Sequence, residues 1–119
     1  MIDRIRLTAA AKIQLSTLKR KTGIEHYNSI CRHALCISLA NPSMPPEEDF
    51  NFNGGIEIDW RTFAGGNETL YLNLLMLRIR EDGGYPDAES IRVACASHVH
   101  RGLSYIVGRS DDFLQEVSR

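Results

Sequence analysis

The stretch that decides the fold is Arg4-Ile5-Arg6-Leu7-Thr8-Ala9-Ala10-Ala11, close to the start of the chain. It opens with alternating basic and apolar side chains, which is the pattern of a short β-strand with one buried and one exposed face. Thr8 follows, and a threonine directly before an alanine run caps the N-terminus of a helix. The sequence therefore predicts a strand that leads at once into a helix.

Four main helices are predicted from apolar periodicity. The first ends in Lys19-Arg20-Lys21-Thr22-Gly23, where basic residues suit the negative end of the helix dipole and Gly23 permits a left-handed turn. The second runs from about Glu25 to Leu39, before a cluster of helix-breaking residues. The third and fourth are expected at residues 68–81 and from Asp87 to about Val107. A short final turn after Gly108 would carry the apolar residues Phe113, Leu114 and Val117.

A hairpin is expected between the second and third helices. Two alternating runs there flank Asn53-Gly54, the strongest short-range hairpin signal in a sequence. The hairpin would extend from Phe50 to Trp60, with its aromatic and isoleucine residues on one buried face and with Glu57 and Asp59 on the solvated face. The predicted fold class is thus mainly α with a small β component, made of four main helices and one hairpin.

Length and composition indicate one globular domain over residues 1–119. No apolar run approaches the length of about 18 residues that a membrane helix needs. Charges occupy the N-terminus where a signal peptide would be apolar, so we expect a cytoplasmic protein without a membrane partner. The three cysteines lack CxxC spacing, which disfavours a disulfide scaffold or a zinc ribbon.

Charge is distributed unevenly along the chain. Residues 1–33 carry seven basic and two acidic side chains, whereas residues 34–70 carry one basic and six acidic. All the lysines lie within residues 12–21. Such an asymmetry indicates a basic face for a polyanion, or two faces that attract each other.

The strand, capped helix, turn and second helix resemble the ribbon-helix-helix family of DNA binders. In that family the strands of two chains pair, and their outward side chains enter the major groove. The resemblance places Arg4 and Arg6 on the outward face, where an arginine can contact guanine. The first helix adds the further candidate DNA-binding residues, which are Lys12, Lys19, Arg20 and Lys21.

The whole chain resembles the DndE family. The resemblance rests on residues 3–8, on Lys19-Arg20-Lys21-Thr22-Gly23-Ile24 and on the run from Asn53 to Trp60. That family belongs to the bacterial machinery that replaces a non-bridging phosphate oxygen of DNA with sulfur. The resemblance implies a small, oligomeric, DNA-binding accessory protein without catalytic residues, metal or cofactor. Its expected partners are duplex DNA, intact or nicked, and other DNA sulfur modification proteins.

Three alternatives are also compatible with the sequence. A sequence-specific ribbon-helix-helix regulator would use the same arginines. A small enzyme or sulfur carrier could use Cys95, with His98 as a neighbour on the same helical face, or the carboxylate pair Glu57 and Asp59. Each cysteine lies on or beside an apolar stripe, however, so we expect all of them to be buried packing residues. A scaffold could instead bind proteins through the acidic middle segment.

Self-association is expected from the third helix. Residues 68–81 are apolar nearly all round, and a domain of this size has little material to surround such a helix. A homo-oligomer would cover it, with a tetramer as the expected size.

Overall fold

A computed structural model describes the backbone of residues 2–117 and the side chains of residues 2–109. It confirms a mainly α fold with a small β component. The elements in chain order are β1 (Arg4–Leu7), α1 (Ala9–Thr22), α2 (Tyr27–Ala40), β2 (Ile56–Asp59), α3 (Trp60–Ala64), α4 (Glu68–Glu81) and α5 (Ala88–Val117). Four helices are long, and α3 is a short addition. Within the described residues, no helix is both long and apolar enough to cross a membrane.

The expected start of the chain is confirmed in detail. The N–H of Ala11 donates to Oγ1 of Thr8 at 3.1 Å, so Thr8 caps α1. At the other end Gly23 has a φ of 74°, and its N–H donates to the carbonyl of Lys19 at 3.1 Å. Strand, cap, helix and turn therefore follow from local sequence signals.

The small sheet is antiparallel, but its strands are not those of the expected hairpin. β2 pairs with β1, so that Arg4 faces Asp59 and Leu7 faces Ile56 across the ladder. The expected turn is present, because the N–H of Gly55 donates to the carbonyl of Phe52 at 3.1 Å. The pairing of residues 50–52 with residues 56–60 was wrong. β1 supplies the strand that pairs with β2, whereas residues 50–52 lie outside the sheet, where Phe50 packs against His100.

The phenylalanine that was expected in the hairpin packs elsewhere. The ring of Phe50 stacks on the imidazole of His100, with centroids 4.3 Å apart. Nδ1 of His100 donates to the carbonyl of Ala96 at 2.6 Å, and Nε2 accepts the N–H of Thr8 at 3.2 Å. This arrangement requires a neutral imidazole, which agrees with a pKa that burial lowers below its ordinary value. His100 thus joins α5 to the start of α1.

The helices α2 and α5 form the centre of the core. Gly102 of α5 lies against Ala34 of α2, and a Cβ at position 102 would overlap the Ala34 carbonyl. A glycine is needed here because the two backbones approach so closely. α5 continues helically through Gly108 to Val117, so the expected end near Val107 was wrong. The expected apolar side chains beyond Gly108 lie outside the described side chains.

Two arginines hold the C-terminal end of α2 from different helices. Arg78 of α4 donates to the carbonyls of Leu39, Asn41 and Ser43 at 2.9, 2.7 and 2.8 Å. Arg101 of α5 donates to the carbonyls of Ser38 and Ser43 at 2.7 and 2.9 Å. These bonds satisfy carbonyls that a helix end leaves without partners. The positive charges of these arginines also interact favourably with the negative pole of the α2 helix dipole.

Only one side of α4 contacts the rest of the chain. Leu75 and Ile79 are buried, as is the Arg78 side chain. Leu70 and Leu77 are 53% and 55% exposed, and they lie two turns apart on the outer side. The described part of the chain therefore leaves an apolar surface on this helix.

Candidate nucleic-acid interface

The predicted basic residues of α1 all lie outside the core. Ala11, Leu15 and Leu18 form the buried side of the helix. Because each residue turns the helix by about 100°, the opposite side carries Ile13 and Arg20. Ile13 is 67% exposed, so this outer side is partly apolar.

The lysines of α1 occupy its two flanks. Lys12 and Lys19 are seven positions apart and lie on the same flank, whereas Lys21 lies on the other. The structure thus brings Lys12 and Lys19 into line and separates Lys21 from them. Nζ of Lys19 is 5.6 Å from the ring centroid of Tyr27, a cation–π distance that positions this ammonium.

The last turn of α1 concentrates three positive charges. Lys19, Arg20 and Lys21 are consecutive and exposed, and their charges face the negative pole of the helix dipole. Oγ1 of Thr22 donates to the carbonyl of Leu18 at 2.7 Å, which helps to close this turn. Local sequence thereby fixes the position of the charged residues.

The arginines of β1 share one carboxylate. Nε of Arg6 is 3.2 Å from Oε1 of Glu57, and Nε of Arg4 is 3.5 Å from Oε2 of the same residue. The guanidinium of Arg6 also lies 5.0 Å from the ring centroid of Phe52. Both arginines are exposed on the outer face of the sheet, as predicted, but they are not unpaired.

Glu57 lies near basic residues of both β1 and α1. Together with Asp59, it lines a shallow depression that also contains Lys19. The arginines of β1 pair with Glu57, and Lys19 lines the same depression as this carboxylate. Sequence reasoning placed Glu57 on the solvated face of a hairpin and missed this role. The opposite charges on the outer faces of β1 and β2 were the signal that could have found it.

Glu57 and Asp59, the carboxylates of the alternative enzyme hypothesis, both have structural roles. Glu57 engages the β1 arginines, and Oδ2 of Asp59 accepts the N–H of Thr62 at 3.3 Å to cap α3. In the described part of the chain, no group of three or more histidine, cysteine or acidic side chains could hold a metal ion. The geometry therefore does not assemble a two-carboxylate metal centre from these residues.

The cysteines differ in their surroundings. Cys31 and Cys95 are buried, and burial raises the pKa of each thiol to about 12. The nucleophilic thiolate of Cys95 is thus strongly disfavoured, and its thiol does not reach solvent. Cys36 is exposed, so the expectation that every cysteine is buried was wrong. At about 100° per residue, Cys36 lies nearly opposite the buried residues Cys31 and Ala34, so the helical spacing itself indicated its exposure.

His98 is a buried structural histidine. Its Nδ1 is 2.8 Å from Oγ of Ser38, which also accepts from Nε of Arg101 at 2.8 Å. A hydroxyl oxygen can accept two hydrogen bonds, so Ser38 accepts from Arg101 whichever of Oγ and Nδ1 is the donor in the contact with His98. Burial, followed by the charges of Arg78 and Arg101, lowers the pKa of His98 to about 4. Nδ1 of His98 is therefore engaged by Ser38, and the imidazole does not form a ligand pair with Cys95.

Comparison with known proteins identifies the family. The model of the family of the DNA sulphur modification protein DndE matches residues 4–112. The crystal structure of DndE from Escherichia coli B7A, involved in DNA phosphorothioation modification, superimposes with a TM-score of 0.70 at 22% identity, covering 89% of this chain and 98% of that chain. A glycine-to-lysine mutant of DndE involved in DNA phosphorothioation gives a TM-score of 0.70 at 19% identity, covering 88% and 97%. No curated protein sequence matches. The match over most of the sequence shows that the chain belongs to the DndE family of DNA sulphur modification proteins.

Proposed function

We propose that this chain is a non-catalytic, DNA-binding accessory protein of DNA phosphorothioation. It binds duplex DNA, intact or nicked, through the α1–β1 basic surface, which consists of Arg4, Arg6, Lys12, Lys19, Arg20 and Lys21. Family membership supports the process, and the E. coli B7A relative is involved in the same modification. DNA phosphorothioation changes the DNA backbone. An accessory protein that binds this backbone is therefore consistent with that process.

The observation that carries this proposal is the exposure of all six basic side chains on two consecutive elements. Exposed lysine and arginine side chains neutralise phosphates and release condensed counterions, which favours binding. This contribution is independent of sequence and decreases with salt. The protein therefore binds DNA chiefly through the phosphates that these side chains reach.

Glu57 and the strand pairing of β1 determine how the β1 arginines contact DNA. Glu57 pairs with both of them, so a phosphate must compete with a carboxylate for each guanidinium. β1 also pairs with β2 of its own chain, whereas the ribbon of ribbon-helix-helix regulators is formed by two chains. These features favour backbone contacts that position the protein over contacts that read bases.

The proposal includes self-association and pathway partners. The exposed leucines of α4 give an apolar surface that a second copy can cover, and a tetramer is the proposed assembly. An oligomer presents several basic surfaces to one duplex, which raises affinity through multivalency. Other DNA sulfur modification proteins are the proposed partners that perform the chemistry.

The absence of catalysis is also part of the proposal. The two buried thiols are held in their protonated form, and Glu57 and Asp59 are engaged in the fold. A sulfur carrier that used Cys95 would have to open the packing between α2 and α5 to reach its substrate. These observations support an accessory role over a sulfur-transferring one.

The decisive experiment compares two triple variants in a salt series on intact and nicked duplexes. One replaces Lys12, Lys19 and Lys21 with alanine. The matched control replaces three exposed basic residues outside the α1–β1 basic surface with alanine, namely Arg61, Arg80 and Arg109. Both remove the same charge.

We expect the lysine variant to bind every duplex more weakly. The slope of log affinity against log salt should decrease by about 0.9 for each phosphate that the variant no longer neutralises. The control should change the slope much less, and both proteins should keep their oligomeric mass. Equal changes in the two variants would mean that net charge alone drives binding, and they would refute the assignment of this surface.

A further inference from the structure

β1 has an edge that the fold leaves open. The carbonyl of Asp3 accepts the N–H of Trp60 at 2.9 Å, just after β2 ends. Because backbone groups of alternate residues in an antiparallel ladder point to opposite edges, the N–H and C=O groups of Arg4 and Arg6 point away from β2. Among the residues that the structure describes, these four groups have no hydrogen-bond partner. The next group along this edge, the N–H of Thr8, donates to His100.

A cavity of about 570 Å³ lies along the open edge. One wall is the strand itself, and the other carries Phe50, Phe52 and Val93. Val93 is 53% exposed although it is apolar, which leaves unfilled contact area in this wall. An additional strand lies about 4.8 Å from its neighbour and turns alternate side chains to opposite faces. One set of side chains would enter this cavity.

The charge around the cavity has an excess of unpaired acids. Asp3, Glu48 and Asp49 line it and are exposed, and none forms an ion pair within the described residues. The arginines that line the same cavity already pair with carboxylates. An occupant with basic side chains would therefore complement the charge that remains.

We propose that the open edge of β1 is a docking site for an extended segment of a partner protein. The segment adds a third strand to the sheet through the backbone groups of Arg4 and Arg6. Its apolar side chains enter the cavity and contact Phe50 and Val93, and the long basic side chains next to them reach the exposed, unpaired acids around the cavity. Strand addition to a free edge is an established mode of peptide recognition, in which main-chain bonds give affinity and alternate side chains give specificity.

The test uses the full chain and the acetylated, amidated peptide Lys-Val-Lys-Val-Lys as the probe. Binding is followed by fluorescence anisotropy of the labelled peptide and by amide chemical shifts of the protein. We expect saturable binding, with the largest shifts at the amides of Arg4 and Arg6. Hydrogen exchange at these two amides should also slow when the peptide binds.

Two controls separate strand addition from simple charge attraction. The same peptide with every backbone nitrogen methylated keeps its side-chain charge but loses all its main-chain donors, and we expect its affinity to fall about tenfold or more. In the protein, Arg6→Pro removes an N–H that β2 does not use, which an edge strand tolerates. Its matched variant Arg6→Gln removes the charge and keeps the N–H. The first should lose peptide binding and the second should retain it.

Three results would overturn the proposal. Absence of saturable binding would do so, as would equal affinity of the methylated and unmethylated peptides, which would indicate charge attraction alone. If Arg6→Pro lowers the mass of the protein in solution and Arg6→Gln does not, a second copy occupies this edge instead of a partner. The peptide comparison stays decisive even if Arg6→Pro fails to fold, because it uses the unmodified protein.

Discussion

Glu57→Gln tests whether the β1 arginines take part in DNA binding. The wild-type carboxylate pairs with Arg6 at 3.2 Å and with Arg4 at 3.5 Å. Glutamine has nearly the same shape but no charge, so both guanidinium groups become available to phosphate. A change that removes a native ion pair should therefore strengthen binding.

The expected magnitude follows from the exposure of these ion pairs. Each side chain is roughly half exposed, and pairs of this kind contribute about 0.2–1 kcal/mol. When the wild-type protein binds DNA, it loses part of the ion pairing with Glu57. The variant lacks these ion pairs and therefore loses nothing on binding. We expect a gain of about 1 kcal/mol, or about fivefold in affinity, at low salt. The free energy of unfolding should decrease by about 1 kcal/mol or less.

Fluorescence anisotropy on one labelled duplex, at several salt concentrations, measures this gain. Glu81→Gln, at the C-terminal end of α4, is the matched control because it removes an equal charge from an exposed position away from β1. Glu57→Gln should bind more tightly than both the control and the wild type, and the difference should shrink as salt rises. Identical affinities of the two variants would refute the reasoning, since Arg4 and Arg6 would then lie outside the DNA interface.

Three further predictions concern the fold and the assembly. Gly102→Ala should lower the free energy of unfolding by about 3 kcal/mol or more, because the new Cβ overlaps the Ala34 carbonyl. Urea unfolding measures this loss, and an unchanged midpoint would contradict the close approach of the two helices. The unfolded chain binds a proton at His98 more readily than the folded one, so stability should fall by up to about 3 kcal/mol as pH decreases from about 6.5 towards about 4. His98→Asn should flatten this dependence, and a protonated His98 in NMR titration at pH 6 would disprove it. Light scattering should give a multiple of the 13.4 kDa chain mass, and replacing Leu70 and Leu77 with serine should lower it; a wild-type monomer at micromolar concentration would exclude the assembly.

Local chemistry explains which parts of the fold were predictable from the sequence. Thr8 caps α1 and Gly23 ends it, and each acts through groups within four residues of itself. The turn at Asn53-Gly54 also forms, for the same reason. The partner of the strand after that turn depends on contacts between distant segments, which periodicity does not contain. Cross-strand charge between Arg6 and Glu57 was the available signal, and it was attributed to solvated faces.

The candidate site divides in the same way. Exposure of Lys12 and Lys19 follows from their spacing relative to the apolar stripe of α1, so it could be predicted. The pairing of Arg4 and Arg6 with one carboxylate was missed, because it depends on a strand register that only the opposite charges on β1 and β2 indicated. Burial of Arg78 within an apolar helix was also unexpected, since its acceptors are carbonyls at the end of another helix.

The carbonyls held by Arg78 and Arg101 belong to residues that follow the last regular turn of α2 as well as to that turn. This segment has no regular secondary structure, and it is thereby tied to two helices whose arginines lie 35 and 58 residues further along the chain than Ser43. Local opening of residues 41–43 would break hydrogen bonds to α4 and α5 together, so this segment does not unfold separately from these helices. An irregular stretch that ends in proline-rich sequence thus becomes part of the cooperative unit that folds and unfolds as one.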